Sequence, residues 1–396
     1  MAEICQPIVM GNGGSRRARR VAIPMLAILV AFAVAGTARA QEGAKFNFGP
    51  GVARYAVGAG VDRDTVAAAM AAPTLFPPLT TWDGSFSFDL VDFPFTMVGT
   101  DPAAGSQTTT VSTVIIPLIF KFGTKTASPK KKNVCYNNQS PLTLVLNSPI
   151  FQNFDYQPGG TDVGDTQYTD AFQRANFWST VSGSAPDYHV LLGTPTVATP
   201  VTITVSKKHG VFQGTTGCGP VGVVDIAWFD GVKIPQLLKN KKIKPNVLPI
   251  FLAYNVFFYE GFPANCCILG YHNAVQTSKG TQTYSEAAFS DVGIFQGDIE
   301  DTEALGHEVA EWMDDPFVNN ITPPWGHIGQ VSGCQNNLED GDPLTGTVFD
   351  VPLGGFTYHQ QDLAFVSWFA QAQTSFGVNG WFSFMGNFLT SASLCS

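Results

Sequence analysis

Residues 307–311 read His-Glu-Val-Ala-Glu. On a helix, positions i and i+4 stand one above the other. His307 and Glu311 can therefore direct a ring nitrogen and a carboxylate oxygen at one divalent ion, with Glu308 projecting beside it. In the related H-E-x-x-H spacing two imidazoles hold the ion, and the Glu is general base toward the water that the ion activates. Here Glu311 replaces the second imidazole. A His/Glu/Glu site is formally neutral with a divalent ion, so the ion is expected to be a weaker Lewis acid. Zn²⁺ is the first expectation, with Mn²⁺ or Ca²⁺ as alternatives favoured by the oxygen-rich ligands. The competing reading is an ordinary solvated helix face. Against it, only eight Glu follow residue 40, and four of them fall between Glu300 and Glu311.

The elements that must position these groups are legible on both sides. Asp298 is the expected N-cap, with Glu300, Asp301 and Glu303 in or near the first turn, where carboxylates complement the helix dipole. Pro316 stops the helix. Leu305, Val309, Trp312 and Met313 share one face, while Ala304, His307, Glu308, Glu311 and Asp315 share the other. Gly306 costs about 1 kcal/mol relative to Ala inside a helix, which predicts close approach by a neighbouring element. Asp315 lies about 12 Å along the axis from His307, too far to share its ion, so it is expected to orient His307 or the backbone. Glu339, Asp342 and His359 are rivals for the third ligand. Tyr358 and His359, just before an expected second helix over residues 360–372, are candidate transition-state donors. Trp325-Gly326-His327 could line a substrate cleft. His189, His209 and His272 are assigned ordinary surface or core roles.

Around this helix the chain predicts an α+β fold. A β-rich N-terminal region over residues 41–216 contains long strands at residues 86–98 and Thr108–Phe122, a shorter one at 142–146, and a helix at 168–180. A second region over residues 217–396 has buried strands at 221–226, 249–259, 267–272 and 281–289 ahead of the site helix.

Residues 1–40 read as a signal peptide: Arg16, Arg17, Arg19 and Arg20, an apolar run over residues 21–34, then Ala38-Arg39-Ala40. The apolar run is shorter than the roughly 20 residues that span a bilayer, so a secreted or periplasmic protein without a membrane span is expected after cleavage near Ala40. The whole chain carries a net charge of −9. Loss of the arginine cluster makes the remainder more acidic, which excludes nucleic acid as a partner. Six cysteines follow residue 40, at 135, 218, 266, 267, 334 and 395, an even number that predicts disulfides in an oxidising compartment. Cys266 and Cys267 are not expected to pair, because adjacent side chains on a strand point to opposite faces.

The segment Gly306-His307-Glu308-Val309-Ala310-Glu311-Trp312-Met313-Asp314-Asp315-Pro316, followed by Glu339-Asp340-Gly341-Asp342, resembles secreted bacterial zincin-like, gluzincin-type metallopeptidase-related proteins. These look like H-E-x-x-E-x-x-x-D-P with a later E-x-G-D. Gly270-Tyr271-His272 and Asp225-Ile226 are similar to that group as well. Plant phosphate-induced, exordium-like proteins look like more distant relatives, sharing the His-Glu pair but lacking a residue like Glu311. The resemblance covers roughly residues 217–390. It implies a zincin-like mixed sheet with an active-site helix, and Glu339 as third ligand beside His307 and Glu311. It also implies that Asp315 and Asp342 orient the ligands from outside. The expected function is a secreted metal-dependent hydrolase acting on peptides or proteins, with Glu308 as base. The alternative is a non-catalytic binding protein on the same scaffold, with a structural metal or none.

Overall fold

A strand that moves from the rim of a sheet to its middle should change from alternating to continuous burial. Strand β1 (Thr108–Phe122) does so, with exposed and buried residues alternating at its start and a continuous buried run further on. The computed structural model describes residues 53–71 and 76–396; the expected signal peptide and its cleavage site lie outside them. At its C-terminal end β1 pairs antiparallel with β2 (Lys125–Ala127), and along the flank opposite β2 it pairs parallel with β3 (His189–Leu192), β4 (Thr196–Val197) and β5 (Val201–Thr204). On the other it pairs parallel with β6 (Val247–Tyr254), whose sequence Val-Leu-Pro-Ile-Phe-Leu-Ala-Tyr is buried almost throughout. Beyond β6 come β8 (Gly280–Phe289), parallel to it, and β7 (Gly270–Thr277), antiparallel to β8. The result is a mixed, strand-rich α+β fold.

The expected division at residue 216 does not separate two sheets. β6 pairs with β1 across it, and the Cys135–Cys218 disulfide spans it. A smaller sheet is formed by Gly210–Thr215, Pro220–Asp225, Val256–Tyr259 and Cys266–Ile268. The apolar run at 249–259 feeds both sheets, breaking at Asn255, which takes a positive φ of 53°.

Several local expectations are corrected. Residues 86–98 are not one strand but belong to a hairpin, Thr81–Phe88 with Val91–Val98, turning at Asp89 and Leu90, both at positive φ. Residues 142–146 fall in a helix, Pro141–Leu146. Its apolar run reads like a strand, but Ser140 accepts a hydrogen bond from the Thr143 N–H and Pro141 sits in the first turn, a helix-start pairing that outweighs the apolar pattern. The expected helix at 360–372 shrinks to Val366–Phe369. Residues up to Gln361 instead close a hairpin, Val348–Leu353 with Phe356–Gln361, whose Gly354-Gly355 turn has positive φ at both positions.

The disulfides are Cys135–Cys218, Cys334–Cys395 and Cys266–Cys267. The last contradicts the expectation from strand alternation. The peptide bond between the two residues is cis, and their Cα atoms are 3.0 Å apart, so the alternation of a trans-peptide strand does not apply.

Two helices frame the site. Helix α1 (Tyr168–Asn176) is buried along its whole length, within the expected 168–180 segment. Helix α2 (Glu303–Asp314) packs on β7 and β8.

Candidate metal centre

Helix α2 begins later than expected. Its N-cap is Thr302, whereas Asp298 sits upstream at a positive φ, and only Glu303 lies in the first turn. All twelve residues of α2 are buried, so the solvated-face reading does not hold. Gly306 does meet a close neighbour, since a Cβ there would lie 2.3 Å from Gln360 Oε1. Gly270 has the same function on β7, where a Cβ would lie 2.7 Å from Glu308 Cγ. Two glycines thus bring α2 within reach of the hairpin and the sheet.

His307 Nε2 lies 3.0 Å from Glu311 Oε1 and 3.8 Å from Asp342 Oδ1, and it makes no hydrogen bond. Its tautomer follows from its neighbours. The Gly341 carbonyl can only accept, so the Gln361 amide donates to it and turns Oε1 toward His307 Nδ1, 3.1 Å away. In the neutral ring Nδ1 then donates, and Nε2 presents a lone pair to two carboxylates. Three acceptors converging in a buried site require a cation among them, either a proton or a metal. Gly341 is also required for space, because a Cβ there would fall 2.2 Å from His307 Nδ1. Its N–H donates to Glu311 Oε1 at 3.0 Å.

His272 was given an ordinary role from sequence, yet it joins this centre. It is fully buried on β7. Its Nε2 faces the Asp315 carbonyl at 3.1 Å and must donate there. Nδ1 is then left toward Glu308 Oε2 at 3.4 Å and Glu311 Oε2 at 3.8 Å. Burial, reinforced by the charge of His307, drives the His272 pKa down to about 3, so its ring is neutral. Around α2 the residue types that could hold an ion form two of the four such sets among the described residues, His307, Glu311, Asp342 and His272, Glu308, Glu311.

The surrounding charge is lopsided. Burial raises the carboxyls of Glu308, Glu311 and Glu339 well above their ordinary range, and mutual repulsion among the acidic side chains adds to the shift. Burial lifts Glu303 and Asp315 to about 7 each. Glu339 lies against Glu311 and accepts from Asn337 Nδ2 at 3.0 Å. Asp342 accepts from Gln330 and, at 3.2 Å, from Gln335. The Asp315 carboxylate accepts the N–H groups of Asn319 and Asn320, both at 2.9 Å, so it fixes the turn after α2 rather than His307. Its carbonyl is what orients His272.

Tyr55 covers the centre. Its ring stacks on His307 with centroids 3.5 Å apart, and its hydroxyl donates to Glu303 Oε2 at 2.5 Å. Arg54 and Ala56 donate main-chain hydrogen bonds to the carbonyls of Cys267 and Gly270. Gln330 clamps Tyr55 by receiving its N–H at 2.6 Å and donating to its carbonyl at 3.1 Å.

Two predicted residues lie elsewhere. The Tyr358 hydroxyl donates to the Leu144 carbonyl at 3.0 Å. His359 Nδ1 bonds Asp301 Oδ2 at 2.5 Å and lies 3.5 Å from Glu300. The strand carrying them does reach α2, but through Gln360 and Gln361; glutamines carry no sequence signal for such a role. Trp325, Gly326 and His327 line a surface pocket with Trp368 and residues 387–393; His327 lies beside Cys334 and Cys395, whose sulfurs are joined to each other in a disulfide, away from α2. Set against family models, curated proteins and solved structures, the chain finds no match, so the site is read from its own geometry.

Proposed function

We propose that this protein is a secreted metal-dependent hydrolase whose ion is held by His307, Glu311 and a carboxylate from residues 339–342, with Glu308 as general base. The observation that carries the proposal is the His307 Nε2 lone pair, turned by Gln361 toward two carboxylates and left without a hydrogen bond. Of the three carboxylates in that segment, Asp342 faces the lone pair, Glu339 lies against Glu311 and Asp340 lies against Asp314. A bound divalent ion would supply Lewis acidity and a nucleophile from water at neutral pH. Glu308 Oε1 is buried and has no partner, and burial, with the neighbouring carboxylates, raises its proton affinity above that of an ordinary Glu, the direction a general base needs.

The test is chelator-sensitive cleavage of a labelled, unfolded protein by the purified chain loaded with Zn²⁺ or Mn²⁺. Cleavage abolished by Glu308→Gln supports the assignment, and cleavage unaffected by that change refutes it. The second reading, a binding protein with a structural ion, is favoured by Tyr55, which stacks over His307 and leaves its ligands buried. Tight metal binding without hydrolysis of any unfolded substrate would decide for it.

A further inference from the structure

Glu311 offers one oxygen to each of two histidines. Oε1 faces His307 Nε2 at 3.0 Å, and Oε2 faces His272 Nδ1 at 3.8 Å. Both ring nitrogens are lone-pair atoms in the neutral tautomers, because Nδ1 of His307 donates to Gln361 and Nε2 of His272 donates to the Asp315 carbonyl. Each lone pair also meets a second carboxylate: Asp342 for His307 at 3.8 Å, and Glu308 for His272 at 3.4 Å. Ligands of one divalent ion, bound at about 2.0–2.2 Å, lie roughly 3–4 Å from one another. In both sets the histidine nitrogen stands at that distance from each carboxylate, and all three ligand atoms lie within 4.8 Å of one another.

We propose that the centre is dinuclear, with Glu311 bridging two first-row divalent cations. One is held by His307 and Asp342, and the other by His272 and Glu308. The proposal rests on the metal-dependent reading above and extends it to a second ion.

Two buried, unpartnered groups on the His272 side point to a ligand there. Glu308 Oε1 has no hydrogen-bond partner, and neither has the Ser285 hydroxyl, whose residue pairs with His272 across β7 and β8 and shares its sheet face. Charge agrees. Glu308, Glu311, Asp342 and the adjoining Glu339 are four buried carboxylates, and the buried Glu286 adds its charge beside Glu308, more than one divalent ion balances. One imidazole with carboxylate oxygens at each position suits Mn²⁺ or Zn²⁺. Glu308 meets its ion through Oε2, leaving Oε1 to handle protons.

The experiment loads metal-free full-length chain with Mn²⁺, removes free ion, and measures metal per chain by mass spectrometry together with the electron paramagnetic resonance spectrum. Two ions per chain with an exchange-coupled spectrum are expected. His272→Gln is expected to bring this to one ion and an uncoupled spectrum. One ion in the wild type at saturation, with a proton taking the place of the other, overturns the proposal. So do two ions that His272→Gln leaves unchanged. If His272→Gln does not fold, the wild-type stoichiometry and coupling decide alone. Two coupled ions without hydrolysis support the dinuclear centre and sink the hydrolase reading. One ion with hydrolysis dependent on Glu308 does the reverse.

Discussion

Among the described residues, two clusters bring a histidine together with more than one carboxylate, and they differ in whether the polar atoms are satisfied. At His359 the ring bonds Asp301 and lies near Glu300 and Asp350, partly open to solvent. Its pKa is raised to about 9, chiefly by Asp301, so the histidine is itself the cation of the cluster. At His307 and His272 the rings are buried and their pKa values are lowered, with burial the largest cause. They turn lone pairs, rather than a proton, toward the carboxylates. Residue types alone do not distinguish the two clusters; the hydrogen bond on the far side of each ring does.

The largest expected effect follows from the bridging position of Glu311. Glu311→Ala should lower metal affinity by at least about 1,000-fold, well beyond the 10–100-fold typical for loss of an orienting group. Retention of stoichiometric metal by that variant, measured by mass spectrometry, would erase the contrast between the clusters. Glu308→Gln should reduce hydrolysis by about 10²–10⁴-fold while the ion at His307 stays bound, which single-turnover assays with metal analysis will report. A smaller effect is expected from Gln361→Leu, which frees the His307 tautomer and should weaken binding about 10–100-fold. Glu339→Ala belongs in the same titration: if it empties the site while Asp342→Ala does not, Glu339 is the ligand and Asp342 the supporting group.

The His359 cluster should respond to pH rather than to metal. Because the folded pKa lies above the ordinary histidine value of about 6.5, its contribution to stability is complete below that value. It is lost as the pH rises through about 9. Burial raises the Asp301 carboxyl, which offsets part of the gain, so His359→Gln should cost on the order of 1 kcal/mol at pH 6. The cost should vanish near pH 10 in thermal melts, with metal content unchanged. A variant that loses metal would move His359 into the centre. The smallest change is Tyr55→Phe, which removes one hydrogen bond to Glu303 and should cost about 1 kcal/mol without releasing the ion. Tyr55→Ala should speed release of the ion to a competing chelator by uncovering His307, and an unchanged rate would show that Tyr55 is no barrier.

How much of this was legible in the chain varies with the range of the interaction. The i, i+4 relation of His307 and Glu311, the stop at Pro316 and the close approach at Gly306 are consequences of helix geometry within a few residues. An even cysteine count predicted disulfides, but not that Cys266 and Cys267 would join each other across a cis peptide bond. Residues 142–146 were misread because an apolar run suits either a strand or a helix, and the capping serine decided between them.

What the sequence determined by itself is the helix bearing His307, Glu308 and Glu311, since one rotation of 100° per residue fixes which side chains share a face. Only the tertiary structure decided the partners of that face. His272, Gln361, Asp342 and Tyr55 arrive from a strand, a hairpin, a loop and an N-terminal segment between 31 and 252 residues distant from Glu311 or His307 in sequence. Asp342 alone was a candidate from sequence; the other three carry no local signal for their roles. Their meeting depends on the register of β7 with β8, on the Gly354-Gly355 turn that aligns Gln361, and on the absence of a side chain at Gly270 and Gly341. Packing many separate segments around one buried helix set those relations, and no periodicity along the chain encodes them.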